Sequence, residues 1–97
     1  MAELDIFATI HPKPEHRGQA LAAIESILEA TRAERGCLRF ELNVGDDGDP
    51  ALYLVERWTD DHALDAHYAM DYIAEVFASY DTWLSRPVDV VRMRRHA

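Results

Sequence analysis

Residues 51–67, ALYLVERWTDDHALDAH, carry the chain from one kind of backbone to another within a few residues. From Ala51 to Trp58 the side chains alternate, with Leu52, Leu54, Glu56 and Trp58 on one side and Tyr53, Val55 and Arg57 on the other. Period two is the signature of a β-strand, in which side chains two apart share a face. Thr59-Asp60-Asp61 then interrupts the pattern. Short oxygen-bearing side chains here accept the unpaired N–H groups of a starting helix, and the carboxylates favour its positive end. Beyond them Leu64, His67 and Tyr68 recur at the i, i+3, i+4 spacing of one helical stripe. If the Glu56/Trp58 side of the strand meets the His67 stripe, the product is an aromatic pocket holding one carboxylate and one imidazole.

Upstream, Leu4 to Ile10 (LDIFATI) is apolar on both alternating sides, so it reads as a strand with both faces at least partly covered. Pro12 and Pro14 end it, and Pro14 suits the first position of a helix, where its missing N–H costs nothing. From Glu15 to about Glu34, Ala20, Leu21, Ile24, Ile27, Leu28 and Thr31 form one stripe, with Glu25, Glu29, Arg32 and Arg35 outside it. Gly36 supplies a left-handed cap. Cys37 to Val44 (CLRFELNV) alternates, placing Leu38, Phe40, Leu42 and Val44 on one side and Arg39, Glu41 and Asn43 on the other. The run Gly45 to Pro50 is a turn by composition and joins this strand to Leu52–Trp58 as a hairpin. Its aspartates lack the ligand spacing and terminal glutamate of a calcium loop.

Downstream, Met70-Asp71 breaks the helical pattern, which resumes with Ile73, Val76, Phe77, Tyr80 and Leu84. Two short helices or one kinked helix fit. Pro87 ends the region, and Val88, Val90, Val91 and Met93 suggest a last strand.

The order β-α-β-β-α-β predicts an α+β, ferredoxin-like fold: a four-stranded antiparallel sheet with helices on one face. The 97 residues are expected to form one domain, which at this size buries only about two thirds of its unfolded surface. The second sheet face, carrying apolar side chains of strands one and three, would then lie bare in water. A homodimer packed through that open face would cover it and enclose a cavity.

The net charge of −8 argues against general affinity for nucleic acid or anionic lipid. The basic cluster Arg92, Arg94 and Arg95 is too narrow for a nucleic-acid footprint. No segment approaches the about 20 apolar residues of a membrane span, and the N-terminus lacks the basic and apolar regions of a signal peptide, so a cytoplasmic location is expected. One cysteine, Cys37, precludes an internal disulfide and a cysteine-based zinc site, and reads as a small hydrophobe.

The segment from Ala33 to Leu42, followed by Tyr53 to Trp58 and Ala63 to His67, resembles the antibiotic-biosynthesis monooxygenase (ABM) superfamily, over nearly the whole chain. The resemblance implies a dimeric α+β barrel. It also implies a site in which Trp58 matches a pocket-lining tryptophan, Glu56 the acidic residue before it, and His67 the helix histidine. Members include cofactor-free oxygenases of polycyclic phenols, quinol oxygenases, haem-degrading enzymes and sugar-phosphate isomerases. The haem-degrading branch relies on a first-strand asparagine, where this chain offers Asp5, Phe7 and Thr9.

Dioxygen reacts slowly with closed-shell organic molecules because spin must change. This sequence shows neither a glycine-rich dinucleotide fingerprint nor a two-histidine-one-carboxylate cluster, and His62 and His67 lie about 140° apart around a helix. The expected chemistry is therefore substrate-assisted, with no cofactor and no metal. A phenolic or quinol-type substrate loses a proton, and its anion gives an electron to dioxygen. His67 and Glu56 are the expected proton-transfer groups. Trp58, Leu54, Phe7, Tyr68, Tyr72 and Phe77 are the expected substrate-binding residues, with Tyr80 and Trp83 as further walls and Arg57 or Arg92 as partners for an oxyanion.

The same residues admit plainer accounts. His67 serves equally as a buried histidine bonded to the backbone, Trp58 as core, and Glu56 as the partner of Arg39 across the hairpin. They also admit an isomerase acting by proton abstraction next to a carbonyl, or a non-catalytic ligand-binding or stress-response protein.

Overall fold

A computed structural model describes residues 3–97. Four strands, β1 (Leu4–Ile10), β2 (Cys37–Val44), β3 (Leu52–Trp58) and β4 (Asp89–Met93), form one antiparallel sheet in the order β2-β3-β1-β4. The α-helix α1 (Arg17–Arg32) follows a single 3₁₀ turn at Pro14–His16, and α2 (Asp61–Tyr68) and α3 (Asp71–Trp83) precede β4. This is the ferredoxin-like α+β arrangement, with the second helical segment divided at Met70, whose backbone is extended (φ −68, ψ 138).

Register decides which residues meet. Leu4 lies opposite Trp58, Ile6 opposite Glu56, Ala8 opposite Leu54 and Ile10 opposite Leu52, so all eight side chains share the face the helices cover. The alternation puts each of them in the interior. The stripe on α1 meets them with Ala20, Ile24, Ile27 and Thr31 buried, while Leu21 and Leu28 pack at its edge. One expectation fails in β2. A bulge between Cys37 and Arg39 sets Cys37 opposite Trp58 and Arg39 opposite Arg57, so Leu38 is the extra residue and is 50% exposed rather than facing inward with Phe40.

Gly36 has a φ of +88, and a Cβ there would lie 2.6 Å from Ala63 Cβ and 2.7 Å from Thr59 Oγ1. Only glycine allows both this backbone and this approach. The turn after α1 thus sits directly against the start of α2, tied by the Thr59 N–H to the Gly36 carbonyl at 2.9 Å. The α2 N-terminus is capped by Asp60, whose carboxylate accepts the Ala63 N–H at 2.9 Å. Asp61 receives Arg92 and Arg94 at 2.9 and 2.8 Å, fastening β4 to the same corner.

Among the described residues, the far face of the sheet carries no helix. Phe7 stacks on Tyr53 there with ring centroids 5.9 Å apart, and Val91 and Met93 lie opposite Phe7 and Asp5 on β4, both exposed. Arg57 bonds Asp5 at 2.7 Å on this face. Among the described residues no helix is long and apolar enough to cross a membrane.

Candidate active site

Between the covered sheet face and the helices lies a cavity of about 360 Å³. Its floor is apolar: Ile6, Ala8 and Ile10 of β1, Leu54 of β3, Phe40 of β2 and Val90 of β4. Its roof is Ile24 and Ile27 of α1 with Tyr68, Ile73, Val76, Phe77 and Tyr80. The Tyr68, Phe77 and Tyr80 rings follow one another at 5.9 and 5.7 Å, and the half-exposed Tyr68 and Phe77 mark the mouth. Among the described residues, two ionisable groups other than phenols line this space, Glu56 and His67, and no Lys or Arg does.

Glu56 is 5% exposed, and its Oε1 accepts the indole N–H of Trp58 at 3.0 Å. Burial disfavours its charged form and pushes the carboxyl up to about 7; the Trp58 bond opposes that shift and the nearby Glu34 carboxyl adds to it. Glu56 therefore keeps its proton to a higher pH than an exposed glutamate.

His67 borders the cavity and is held from behind. Its ring packs against Trp58 at 4.7 Å and Phe40 and Tyr68 at 5.6 Å each, and its Nδ1 lies 2.9 Å from Glu34 Oε2. The Tyr72 hydroxyl donates to the same Glu34 oxygen. Burial, reinforced by that bond, pushes the Tyr72 phenol up to about 12, so it keeps its proton. The His67 and Glu34 side chains are 4% and 5% exposed, so both partners are withdrawn from bulk water.

Of the residues singled out from sequence, Glu56, His67, Leu54, Tyr68 and Phe77 line the cavity. Three do not. Trp58 is fully buried behind it, bonded to Glu56 and packed on His67, and acts as a support rather than a wall. Tyr72 stands behind His67 through Glu34. Phe7 lies on the opposite sheet face, because alternation turns Ile6 and Ala8 inward and Phe7 outward. For the same reason Arg57 faces away, and Arg92 is engaged with Asp61, so neither borders the cavity. Arg39 bonds Glu41 at 2.9 Å and does not pair with Glu56. Nor is His67 bonded to the backbone; its partner is a carboxylate. Trp83 packs at the edge of the core without lining the cavity.

Sequence reasoning missed Glu34. It stands two residues before the glycine that lets α1's end approach α2, and that adjacency is its one signal. Among the described residues no three His, Cys, Asp or Glu side chains are grouped so as to hold a metal ion.

A small α+β chain with this sheet order and an apolar cavity under its helices defines a class. Residues 6–79 match the model of the antibiotic biosynthesis monooxygenase family, and the chain belongs to that family. It is 32% identical over 87 residues to YcnE of Bacillus subtilis, provisionally named a monooxygenase, covering 88% of this chain and 90% of that one. It is 33% identical over 85 residues to Rv0793 of Mycobacterium tuberculosis, also provisionally named a monooxygenase, covering 88% and 83%. The solved structure of Rv0793 superposes with a TM-score of 0.93 at 29% identity, covering 99% and 97% of the two chains. The crystal structure of PA3566 from Pseudomonas aeruginosa gives 0.92 at 26%, covering 100% and 97%. The family and these relatives give the chain a monooxygenase-type function in the general sense.

Proposed function

We propose that this chain is a cofactor-independent monooxygenase that oxidises a phenolic or quinol-type aromatic substrate with dioxygen. One observation carries the reading: an apolar, aromatic-rimmed cavity bordered by a single imidazole and a single carboxyl poised near neutrality. A cavity lined, among the described residues, by no Lys or Arg, with Glu56 beside it and Glu34 behind, disfavours a phosphorylated or carboxylated substrate and suits a neutral phenol. That weighs against isomerisation of a sugar phosphate.

In the proposed reaction His67 takes the phenolic proton and the electron-rich anion gives one electron to dioxygen. The resulting carbon radical and superoxide combine to a peroxide, which takes up the proton. Loss of water across the peroxide O–O bond leaves a new carbonyl, so one oxygen atom enters the product and the other leaves as water. Glu56 gives a proton to the departing oxygen and recovers one from the carbon being oxidised. Leu54, Tyr68 and Phe77 hold the ring, and Trp58 fixes both proton-transfer groups from behind.

The working form is a homodimer through the open sheet face, where Phe7, Val91 and Met93 leave an apolar patch in water. Light scattering at micromolar concentration is expected to give twice the chain mass; a stable monomer would remove this part of the reading.

The test of the chemistry is oxygen uptake by metal-stripped protein against a panel of hydroquinones and anthrone. Uptake above the autoxidation blank should fall by about 10²-fold or more in His67→Ala, the usual worth of a positioned base. Turnover without oxygen consumption would point to an isomerase. Tight binding without turnover, unchanged in His67→Ala, would point to a ligand-binding protein.

A further inference from the structure

We infer that Glu34, itself held by Tyr72, is a positioning residue that fixes the His67 imidazole with its proton on Nδ1, so that Nε2 is the basic nitrogen offered to the cavity. The inference rests on the reading of His67 as the base and supplies what that reading lacks, namely which ring nitrogen acts and what determines it.

The argument is one of donors and acceptors. Glu34 Oε2 faces two groups, the Tyr72 hydroxyl and His67 Nδ1 at 2.9 Å. The phenol retains its proton and donates it to the oxygen. An unprotonated Nδ1 facing a carboxylate oxygen would set two lone pairs against each other, so the stable arrangement puts the proton on Nδ1. Neutral imidazole has one N–H, which leaves Nε2 as the acceptor. Among the described residues Nε2 has no protein partner, while the ring itself lines the cavity. Rotation is blocked, because the ring is packed against Trp58, Phe40 and Tyr68. As the ring takes up a substrate proton, the Glu34 carboxylate stabilises the imidazolium that forms, a role that needs no proton transfer to Glu34.

The placement of Glu34 is not incidental to the fold. The close approach at Gly36, where no Cβ fits between the α1–β2 turn and Ala63, brings the end of α1 against the helix that carries His67. The dyad is thus built across the corner where α1, β2 and α2 meet.

Long-range ¹H–¹⁵N correlation NMR on histidine-labelled protein reads the tautomer in the free protein, at a pH where the ring is neutral. The expected spectrum shows a pyrrole-type Nδ1 and a pyridine-type Nε2 for His67. The same pattern should persist in Tyr72→Phe, which keeps Glu34. In Glu34→Ala, with folding verified by circular dichroism, the single tautomer should give way to a mixture. A pyridine-type Nδ1 in the wild type overturns the inference, and so does an unaltered single tautomer in Glu34→Ala. A merely structural Glu34 would change the melting temperature and leave the nitrogen pattern alone.

The wild-type spectrum can overturn the inference even if the variant fails to fold. It needs no substrate, so absence of oxygen uptake from every phenol would count against the proposed function while leaving the tautomer result to stand or fall separately. With anthrone as substrate, Glu34→Ala should lower kcat by about tenfold or more at little changed KM, since the residue touches no ligand.

Discussion

Glu56→Gln should make the protein more stable, and increasingly so as pH rises. Glu56 is buried in an apolar cavity wall, and its carboxyl stands at about 7 in the fold against an ordinary value of 4.5. Between those values the folded chain holds a proton that the unfolded chain has released, so stability falls as pH climbs through this window. The contribution is fully present below about 4.5, is lost by about 7, and changes no further above that. The difference between about 7 and 4.5, at about 1.4 kcal/mol per pH unit, puts the cost of the ionised carboxylate at about 3 kcal/mol. Glutamine keeps the shape and an oxygen for the Trp58 N–H but has no charge to desolvate. The stability gap between variant and wild type should therefore widen by about 2.5 kcal/mol between about pH 5 and about pH 8. In urea, with a slope of about 1–3 kcal/mol per molar for a small domain, the midpoints should separate by about 0.8–2.5 M over that range. A gap that stays constant with pH, or one that narrows as pH rises, would refute the argument that burial holds Glu56 protonated near neutrality.

Gly36→Ala combines a positive φ with a Cβ 2.6 Å from Ala63 Cβ, and should cost about 2–4 kcal/mol in chemical denaturation; because the clash lies at the corner joining Glu34 to His67, oxygen uptake should fall with it. Trp58→Phe removes the indole N–H that Glu56 accepts and leaves a small void beside His67, so it should destabilise by about 1–3 kcal/mol. With its opposing hydrogen bond gone, the Glu56 carboxyl should titrate higher still, a shift observable by carboxyl ¹³C NMR.

Period two along Leu4–Ile10 and Ala51–Trp58, period 3.6 along α1, and the oxygen-rich junction at Thr59–Asp61 determined the element order, the sheet type and the two ionisable groups of the cavity. These are local signals, written by the requirement that each strand or helix turn an apolar side to a neighbour. The halves of LYLVERW are a clear case: alternation alone places Glu56 with Leu54 and sends Arg57 the other way. The same rule also turns Phe7 outward, and assigning Phe7 to the pocket overlooked the strand's own parity.

What the tertiary structure decided is which groups face one another across elements distant in sequence. Glu34 and His67 are 33 residues apart and Glu34 and Tyr72 are 38 apart, and no periodicity links them. They meet because a glycine removes one Cβ from a crowded corner and because the extended residue at Met70 restarts the helix with Tyr72 turned back toward α1. The single extra residue at Leu38 is likewise invisible in an alternating run, since a bulge is defined by the partner strand. Burial, which raises the Glu56 carboxyl, is a property of everything packed around it. A sequence specifies local conformation through short-range sterics and hydrogen bonding, whereas the electrostatics of a site depend on the sum of long-range packing, and only the folded chain performs that sum.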